Sequence, residues 1–312
     1  MHRWFPVNTV PVSSRLVLSR IVALMSATIL AGFPAHAIVV TPTGNATTLV
    51  NTLLGPGVTL VGTPTLTGGN LANSNSSAGT FTSGLTTGIG IDSGVLLTTG
   101  QANFVGNSNT QSGIGIDFGG AGDAALTALG GDATQDATIL SFDFTTTTGN
   151  LFFNFAFGSD EYNEFANANV NDVFAFYVDN TNIALLPGST TPISINTVNG
   201  GNPFGTNAQN PQFFNNNAGG TFAFEYDGFT DVFTVSALGL GTGQHNIRLA
   251  IADGGDGILD SGVFIQGGSF TPTQPDPTPS PGVPDSGSTL LLAGLGALAL
   301  GALQRAKAVR KL

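Results

Sequence analysis

Leu151-Phe152-Phe153-Asn154-Phe155-Ala156-Phe157 carries the strongest structural signal in the chain. In an extended chain, successive side chains point to opposite faces. Phe153, Phe155 and Phe157 then share one face, and Phe152 joins small or polar residues on the other. Upstream, Thr138 to Phe144 carries Ile139, Leu140, Phe142 and Phe144 in a second strand-like run. Further strands are expected at Val58 to Val61, Val95 to Thr98, Val173 to Val178, Ile183 to Leu186, Phe222 to Tyr226, Val232 to Ala237, Asn246 to Ile251 and Val263 to Gln266. Many short strands with Gly and Asn turns predict an all-β chain, an antiparallel β-sandwich of jelly-roll-like kind. A parallel solenoid is the competing architecture, but residues 60–270 show no fixed repeat.

One or two short helices are expected beside the strands. Asn45 can cap Ala46 to Leu54, which stops at Gly55-Pro56; Asp123 can cap Ala124 to Leu129, which stops at Gly130-Gly131. Residues 68–80 and 199–220 read as long internal loops. In the second, Phe204, Phe213 and Phe214 either pack back onto the sandwich or form an exposed contact patch. The sandwich domain is placed at residues 38–270.

The ends differ from this middle. Arg3, Arg15 and Arg20 precede an apolar run, Ile21 to Phe33, and Ala35-His36-Ala37 offers small residues at both positions of a cleavage site. Residues 1–37 therefore read as a secretory signal peptide for signal peptidase. A membrane-spanning anchor is the alternative, for which the run is short. Residues 271–287 form a Pro-rich spacer, Thr-Pro-Thr-Gln-Pro-Asp-Pro-Thr-Pro-Ser-Pro, ending in Val283-Pro284-Asp285-Ser286-Gly287. Residues 288–312 add a hydrophobic helix through Leu303 and a basic stop, Arg305, Lys307, Arg310 and Lys311. Thr289 to Leu303 gives roughly 22 Å of helix, short against a hydrocarbon core of about 30 Å. The basic cluster puts the far side in the cytoplasm.

Motif, helix and basic tail together resemble the VPDSG variant of the PEP-CTERM sorting signal. The resemblance implies that an exosortase cleaves near Val283–Gly287 and releases or re-attaches the protein at the cell surface, after a transient stay in the inner membrane. A permanent C-terminal membrane helix is the competing reading.

The charge of the middle is extreme. The formal net charge of −11 includes seven basic residues at the two ends; residues 38–287 hold Arg248 alone against all 19 Asp and Glu, a formal −18. Such a surface repels nucleic acid and anionic lipid. These carboxylates outnumber any salt-bridge partner, so they are either solvated or bound to a hard divalent ion such as calcium. There is no cysteine and hence no disulfide. Lysine is absent before the tail, so no Lys–Asn cross-link forms in the middle of the chain.

The densest acid cluster is Ser159-Asp160-Glu161-Tyr162-Asn163-Glu164, with Asp172 at the far edge of the same connection. A second is Asp253-Gly254-Gly255-Asp256-Gly257-Ile258-Leu259-Asp260, whose glycines let the backbone curl around one point. Its spacing is not that of an EF-hand. Asp160, Glu161, Glu164, Asp172, Asp253, Asp256 and Asp260 are the candidate metal ligands. Asp227 and Asp231 flank another turn. His245 reads as a strand-edge residue rather than a general base, and Arg248 as the partner of one of the acids. With His245 the one histidine of residues 38–287 and no Cys, a zinc-type cluster is excluded there.

Gly90 to Gly100 (GIDSGVLLTTG), Phe155 to Phe165 (FAFGSDEYNEF), Asn171 to Phe176 (NDVFAF) and Leu249 to Ser261 (LAIADGGDGILDS) resemble the choice-of-anchor L domain of bacterial surface proteins. The resemblance implies surface display and supplies no catalytic residues. The leading expectation is a non-enzymatic surface or matrix protein, binding calcium and serving adhesion or biofilm structure, with surface polysaccharide or matrix proteins as partners and no nucleic acid. One alternative is a lectin-like carbohydrate-binding module touching sugar through Tyr162, Tyr226 and the Asn-rich loop. Another is a glycoside hydrolase using two of Asp160, Glu161 and Glu164.

Overall fold

The computed structural model describes residues 37–110 and 113–275. Ala35, the sorting motif Val283–Gly287, the hydrophobic run after it and the basic stop (Arg305, Lys307, Arg310, Lys311) lie outside the described residues; Ala37 is the first residue inside them.

Among the described residues, thirteen strands form two antiparallel sheets. They are β1 (Val39–Pro42), β2 (Val58–Thr67), β3 (Ala78–Thr82), β4 (Gly94–Thr98), β5 (Thr134–Thr146), β6 (Leu151–Ser159), β7 (Val173–Val178), β8 (Thr181–Asn182), β9 (Phe214–Asn216), β10 (Gly228–Thr230), β11 (Phe233–Ala237), β12 (His245–Gly254) and β13 (Ser261–Gln266). The larger sheet runs β1-β3-β4-β13-β6-β10-β9, with β11 also paired to β6; the smaller runs β2-β5-β12-β7-β8. From β4 to β7 and from β11 to β13 the chain alternates between the sheets, so neighbours in sequence face each other across the core. This is the all-β sandwich expected from the alternating phenylalanines.

Alternation also explains the layers. Phe153, Phe155 and Phe157 of β6 are fully buried between the sheets with Leu140, Phe142 and Phe144 of β5, Phe174 and Phe176 of β7, and Leu249 and Ile251 of β12. Phe155 meets Phe174, Phe176 and Phe233 at centroid distances of 5.2, 4.9 and 5.7 Å. Phe153 stacks on Phe270 at 4.3 Å, which fastens the end of the domain to the core. Such aromatic pairs add to burial. The outward-facing residues form two thinner clusters. Phe81, Leu96, Ala156 and Phe264 pack under Phe224, Tyr226 and Phe229 on one side; Ala137, Ala175, Ala250 and Ala252 pack under Leu126 on the other.

Both expected helices form. Helix α1 (Ala46–Leu53) is capped by Asn45, whose Oδ1 accepts the Thr48 N–H at 3.0 Å. A one-turn helix α2 (Gly84–Thr87) follows β3, and α3 (Ala124–Gly130) starts where the Asp123 carboxylate accepts the Ala125 and Leu126 N–H groups. The sequence did not announce α2, β1, β3, β8, β9 or β10; β3 begins inside the stretch taken as a loop over 68–80, and β9 lies inside the one over 199–220. Phe222 to Tyr226 and Ile183 to Leu186 are not strands. Phe222–Tyr226 instead lies as a series of bends with its aromatic rings on the outer cluster. In the Asn-rich loop, Phe213 and Phe214 pack against the main core, whereas Phe204 is 58% exposed.

Truncating Phe155 to Ala removes the ring that three others meet, so it should lower stability by about 3–5 kcal/mol. Phe204→Ala should change it by less than about 0.5 kcal/mol. Denaturant unfolding of the two variants checks the contrast; equal effects would contradict the packing of Phe155 at the centre of the core.

A candidate metal centre at one end of the sandwich

The acids come together because the strand registers bring them together. Ser159, the last residue of β6, pairs with Gly228 at the start of β10 and with Ser261 at the start of β13. One step further along both registers stand Asp160, Asp227 and Asp260. The Asp160 N–H donates to the Asp260 carbonyl at 3.1 Å, and the Asp227 N–H donates to Asp160 Oδ1 at 3.2 Å. The facing sheet ends the same way. Ala252 pairs with Val173, so Asp253 lies one step beyond, level with Asp172. Asp136 enters where the β12–β5 register slips between Ile251 and Asp253. Asp172 ties the two rows together: its Oδ1 accepts the Gly254 N–H at 2.9 Å, and its Oδ2 accepts the Ser261 hydroxyl of the other sheet at 2.6 Å.

The loop over 113–120 closes this end. Ile116 N–H donates to Asp260 Oδ1 at 3.1 Å, Phe118 N–H to Asp136 Oδ2 at 2.7 Å, and Gly120 N–H to Asp136 Oδ1. On another side Asp260 lies directly on Gly100, where a Cβ would fall 1.7 Å from its Oδ2. Any larger residue at 100 would push Asp260 out of its row.

Eight carboxylates are buried here: Asp136, Asp160, Glu161, Asp172, Glu225, Asp227, Asp253 and Asp260. Among the described residues, none has a cationic partner: Arg248 pairs with Asp123 and lies 5.6 Å from the Tyr177 ring centre, and His245 pairs with Asp179 at 2.7 Å. Asp253 is 1% exposed and neither of its oxygens has a hydrogen-bond partner. The neighbouring Thr99 hydroxyl accepts the Ser261 N–H at 3.0 Å and stands close enough to Asp253 to favour its charged form slightly against the effect of burial. Both oxygens of Glu225 and Oδ2 of Asp227 are unpartnered too.

Burial and mutual repulsion push these acids toward their neutral forms. Burial raises Asp160 to about 9, helped by Asp227, Glu225 and Asp260. It raises Asp260 to about 8, with Asp172 and Asp136 adding to the effect against the Ile116 hydrogen bond. Glu225 rises to about 7 through burial and the neighbouring Asp227, and Asp227 to about 6 through burial against the Asn109 hydrogen bond. Glu161, Asp172, Asp253 and Asp136 are raised as well, burial being the largest cause for each.

Of the seven expected ligands, Asp160, Glu161, Asp172, Asp253 and Asp260 are buried together. Glu164 is exposed, and Asp256 is half-buried with Oδ1 accepting the Ile258 N–H at 3.2 Å. Asp136 and Glu225 were missed in the sequence, and Asp227 was noted only as a turn residue. The alternation Phe224-Glu225-Tyr226-Asp227, aromatics one way and acids the other, was the available signal for two of them. Asp136 had none, since a register slip places it. Among the described residues, no three Asp, Glu or His side chains are arranged as they sit to hold one metal ion. Tyr162 and Tyr226, candidate sugar contacts, are buried in the apolar clusters. Of the carboxylates considered for glycoside hydrolysis, Asp160 and Glu161 are buried and Glu164 is exposed.

An antiparallel sandwich closed at one end by inward-turned acids defines an acidic β-module. Residues 39–271 match the family model of the choice-of-anchor L domain, and the chain belongs to that family. Residues 282–307 match the VPDSG-CTERM motif. That motif is a sorting signal: it supports a secreted protein displayed at the cell surface and implies processing by an exosortase. No curated protein and no solved structure matches the chain significantly. No helix among the described residues is long and apolar enough to cross a membrane.

The raised carboxylates set the pH dependence of the metal-free protein. Folded, they hold protons that the unfolded chain loses near pH 4. Stability is therefore fully present below about pH 4 as far as these groups are concerned, and it is lost as pH rises toward 9. In excess chelator the melting midpoint should fall from pH 5 to pH 9, and Asp253→Asn should flatten the fall. A midpoint that rises over this range would contradict the burial of these acids.

Proposed function

We propose that this exosortase-processed surface protein is a non-enzymatic module whose acid-lined end binds calcium, and that the loaded module serves adhesion or matrix and biofilm structure. The observation that carries this reading is Asp253: a buried carboxylate with both oxygens unpartnered, in a group of eight without a cation. Leaving a buried charge uncompensated costs several kcal/mol. An all-oxygen donor set drawn from two sheets is irregular, which suits the flexible coordination of calcium better than the strict octahedron of magnesium. Small shifts of the Asp172, Asp253 and Asp260 side chains, with backbone carbonyls from the Gly254–Asp260 turn, would complete such a site.

Access supports the non-enzymatic reading. A catalytic carboxylate must touch its substrate, and Asp160, Glu161 and Asp253 are each no more than 2% exposed. The sorting signal places the module at the surface. In this reading the tail spans the inner membrane only until the exosortase acts, and the Pro-rich spacer then holds the module away from its point of attachment. Surface polysaccharide or matrix protein is the partner class.

Thermal unfolding of the full-length chain, stripped with chelator and held in mild detergent, tests the ion. Calcium that binds only the folded state must raise the midpoint, by about 2.7 kcal/mol of stability at a hundred times its dissociation constant. Binding should also release protons from the raised acids. A midpoint indifferent to calcium would end the proposal.

A further inference from the structure

Charge is unevenly spread along the module. No Asp, Glu, Lys, Arg or His occurs from Asn180 to Phe224, although acids flank this stretch on both sides. Part of it, the loop over 199–207, lies against the turn over 163–167 that follows β6. Amide side chains join the two. Asn202 Nδ2 donates to the Glu164 carbonyl, Asn167 Nδ2 to the Asn207 carbonyl at 3.1 Å, and Asn199 Nδ2 to Asn167 Oδ1 at 3.2 Å. Asn163 Nδ2 adds a bond to Asn216 Oδ1 of β9 at 3.0 Å. Each of the two segments carries one phenylalanine that the core does not claim: Phe165 is 43% exposed and Phe204 58%. The Phe204 ring centre is 6.5 Å from that of Phe214, which in turn is 4.8 Å from that of buried Tyr162. Exposed Asn202, Thr206 and Asn207 stand beside Phe204.

This patch lies beyond Ser159, the last residue of β6. The chain leaves the domain at the other end of the same strand, where Phe152 is bridged to Thr271. The length of β6 puts about 25 Å between the two. Exposed rings far from the point of attachment are placed to meet a partner, and charge selects which one. A module with a formal −18 over residues 38–287 repels anionic polymers. The uncharged stretch complements an uncharged ligand. A protein partner calls for a contiguous apolar centre, whereas these rings are set among amides. A sugar chain suits both parts: the C–H face of a pyranose packs on a phenylalanine ring, and its hydroxyls pair with amides and with Thr206. We propose that Phe165 and Phe204, with Asn202, Thr206 and Asn207, form a binding site for a neutral polysaccharide. The inference rests on the adhesion reading above and names its partner and its contact face. Because the amide bonds fix both segments beforehand, little freedom is lost on binding. Glu164, the one charged residue of the 163–167 turn, is exposed; it accepts a hydroxyl of a neutral chain and repels a uronate.

Affinity electrophoresis of the full-length chain tests the site, in mild detergent with calcium present, through gels holding dextran, galactomannan, xyloglucan or anionic hyaluronate. Retardation by at least one of the three neutral polymers, and none by hyaluronate, is expected. Phe204→Ala should weaken the retardation about tenfold. The double variant Phe165→Ala, Phe204→Ala should abolish it while its melting midpoint stays within about 2 °C of the wild type. No retardation by any neutral polymer overturns the inference; calcium that still raises the midpoint then leaves the calcium reading standing. Retardation that survives in the double variant also overturns it and leaves polysaccharide adhesion to another face. A wild type that instead self-associates through these rings, seen by light scattering and lost in the double variant, overturns it in favour of a second copy as the occupant.

Discussion

A carboxylate withdrawn from water must be neutralised by a proton, a cation or a set of hydrogen-bond donors, and in this chain one end of the sandwich gathers eight of them. Backbone amides from the 113–120 loop serve Asp136 and Asp260, and Ser261 with Gly254 serves Asp172. Asp253 and Glu225 receive nothing comparable. Protons neutralise them at low pH; at higher pH that task falls to the proposed calcium. The whole sandwich feels this constraint, because the same residues terminate five strands and pin two loops.

The rows are consequences of sheet geometry. Ser159 is paired on both sides, so the residues just beyond that rung on three strands are fixed at one level; each is an aspartate. On the facing sheet a single register slip brings Asp136 beside Asp172 and Asp253. The phenylalanine core keeps the two sheets at a fixed separation, with Phe155 and Phe157 of β6 against Phe174 of β7 just inside the acid rows. Core and acid end are therefore one mechanical unit, so the proposed binding at the acids would act on the packing of both sheets.

Much of this was legible in the sequence. Phe153, Phe155 and Phe157 at every second position point to a strand with its rings on one face, and Asn45 and Asp123 announced their helices by capping chemistry. Five buried acids were found because they cluster along the chain. What stayed hidden is what depends on partners far away in sequence. Ala78–Thr80 reads as part of a loop because its small residues carry little hydrophobic signal; pairing between β1 and β4 makes it the start of a strand. Phe222–Tyr226 has strand composition, yet its rings are claimed by the outer cluster. Asp136 is brought in by a bulge, which leaves no mark in a single sequence.

Anomalous diffraction from crystals of the calcium-soaked chain would decide between ion and proton at the acid end. A calcium peak is expected between the two aspartate rows, within about 2.3–2.6 Å of Asp253 and Asp172 oxygens. No peak there, with Asp253 instead hydrogen-bonded to an ordered water or to Thr99, would mean that protons and water alone neutralise the buried acids.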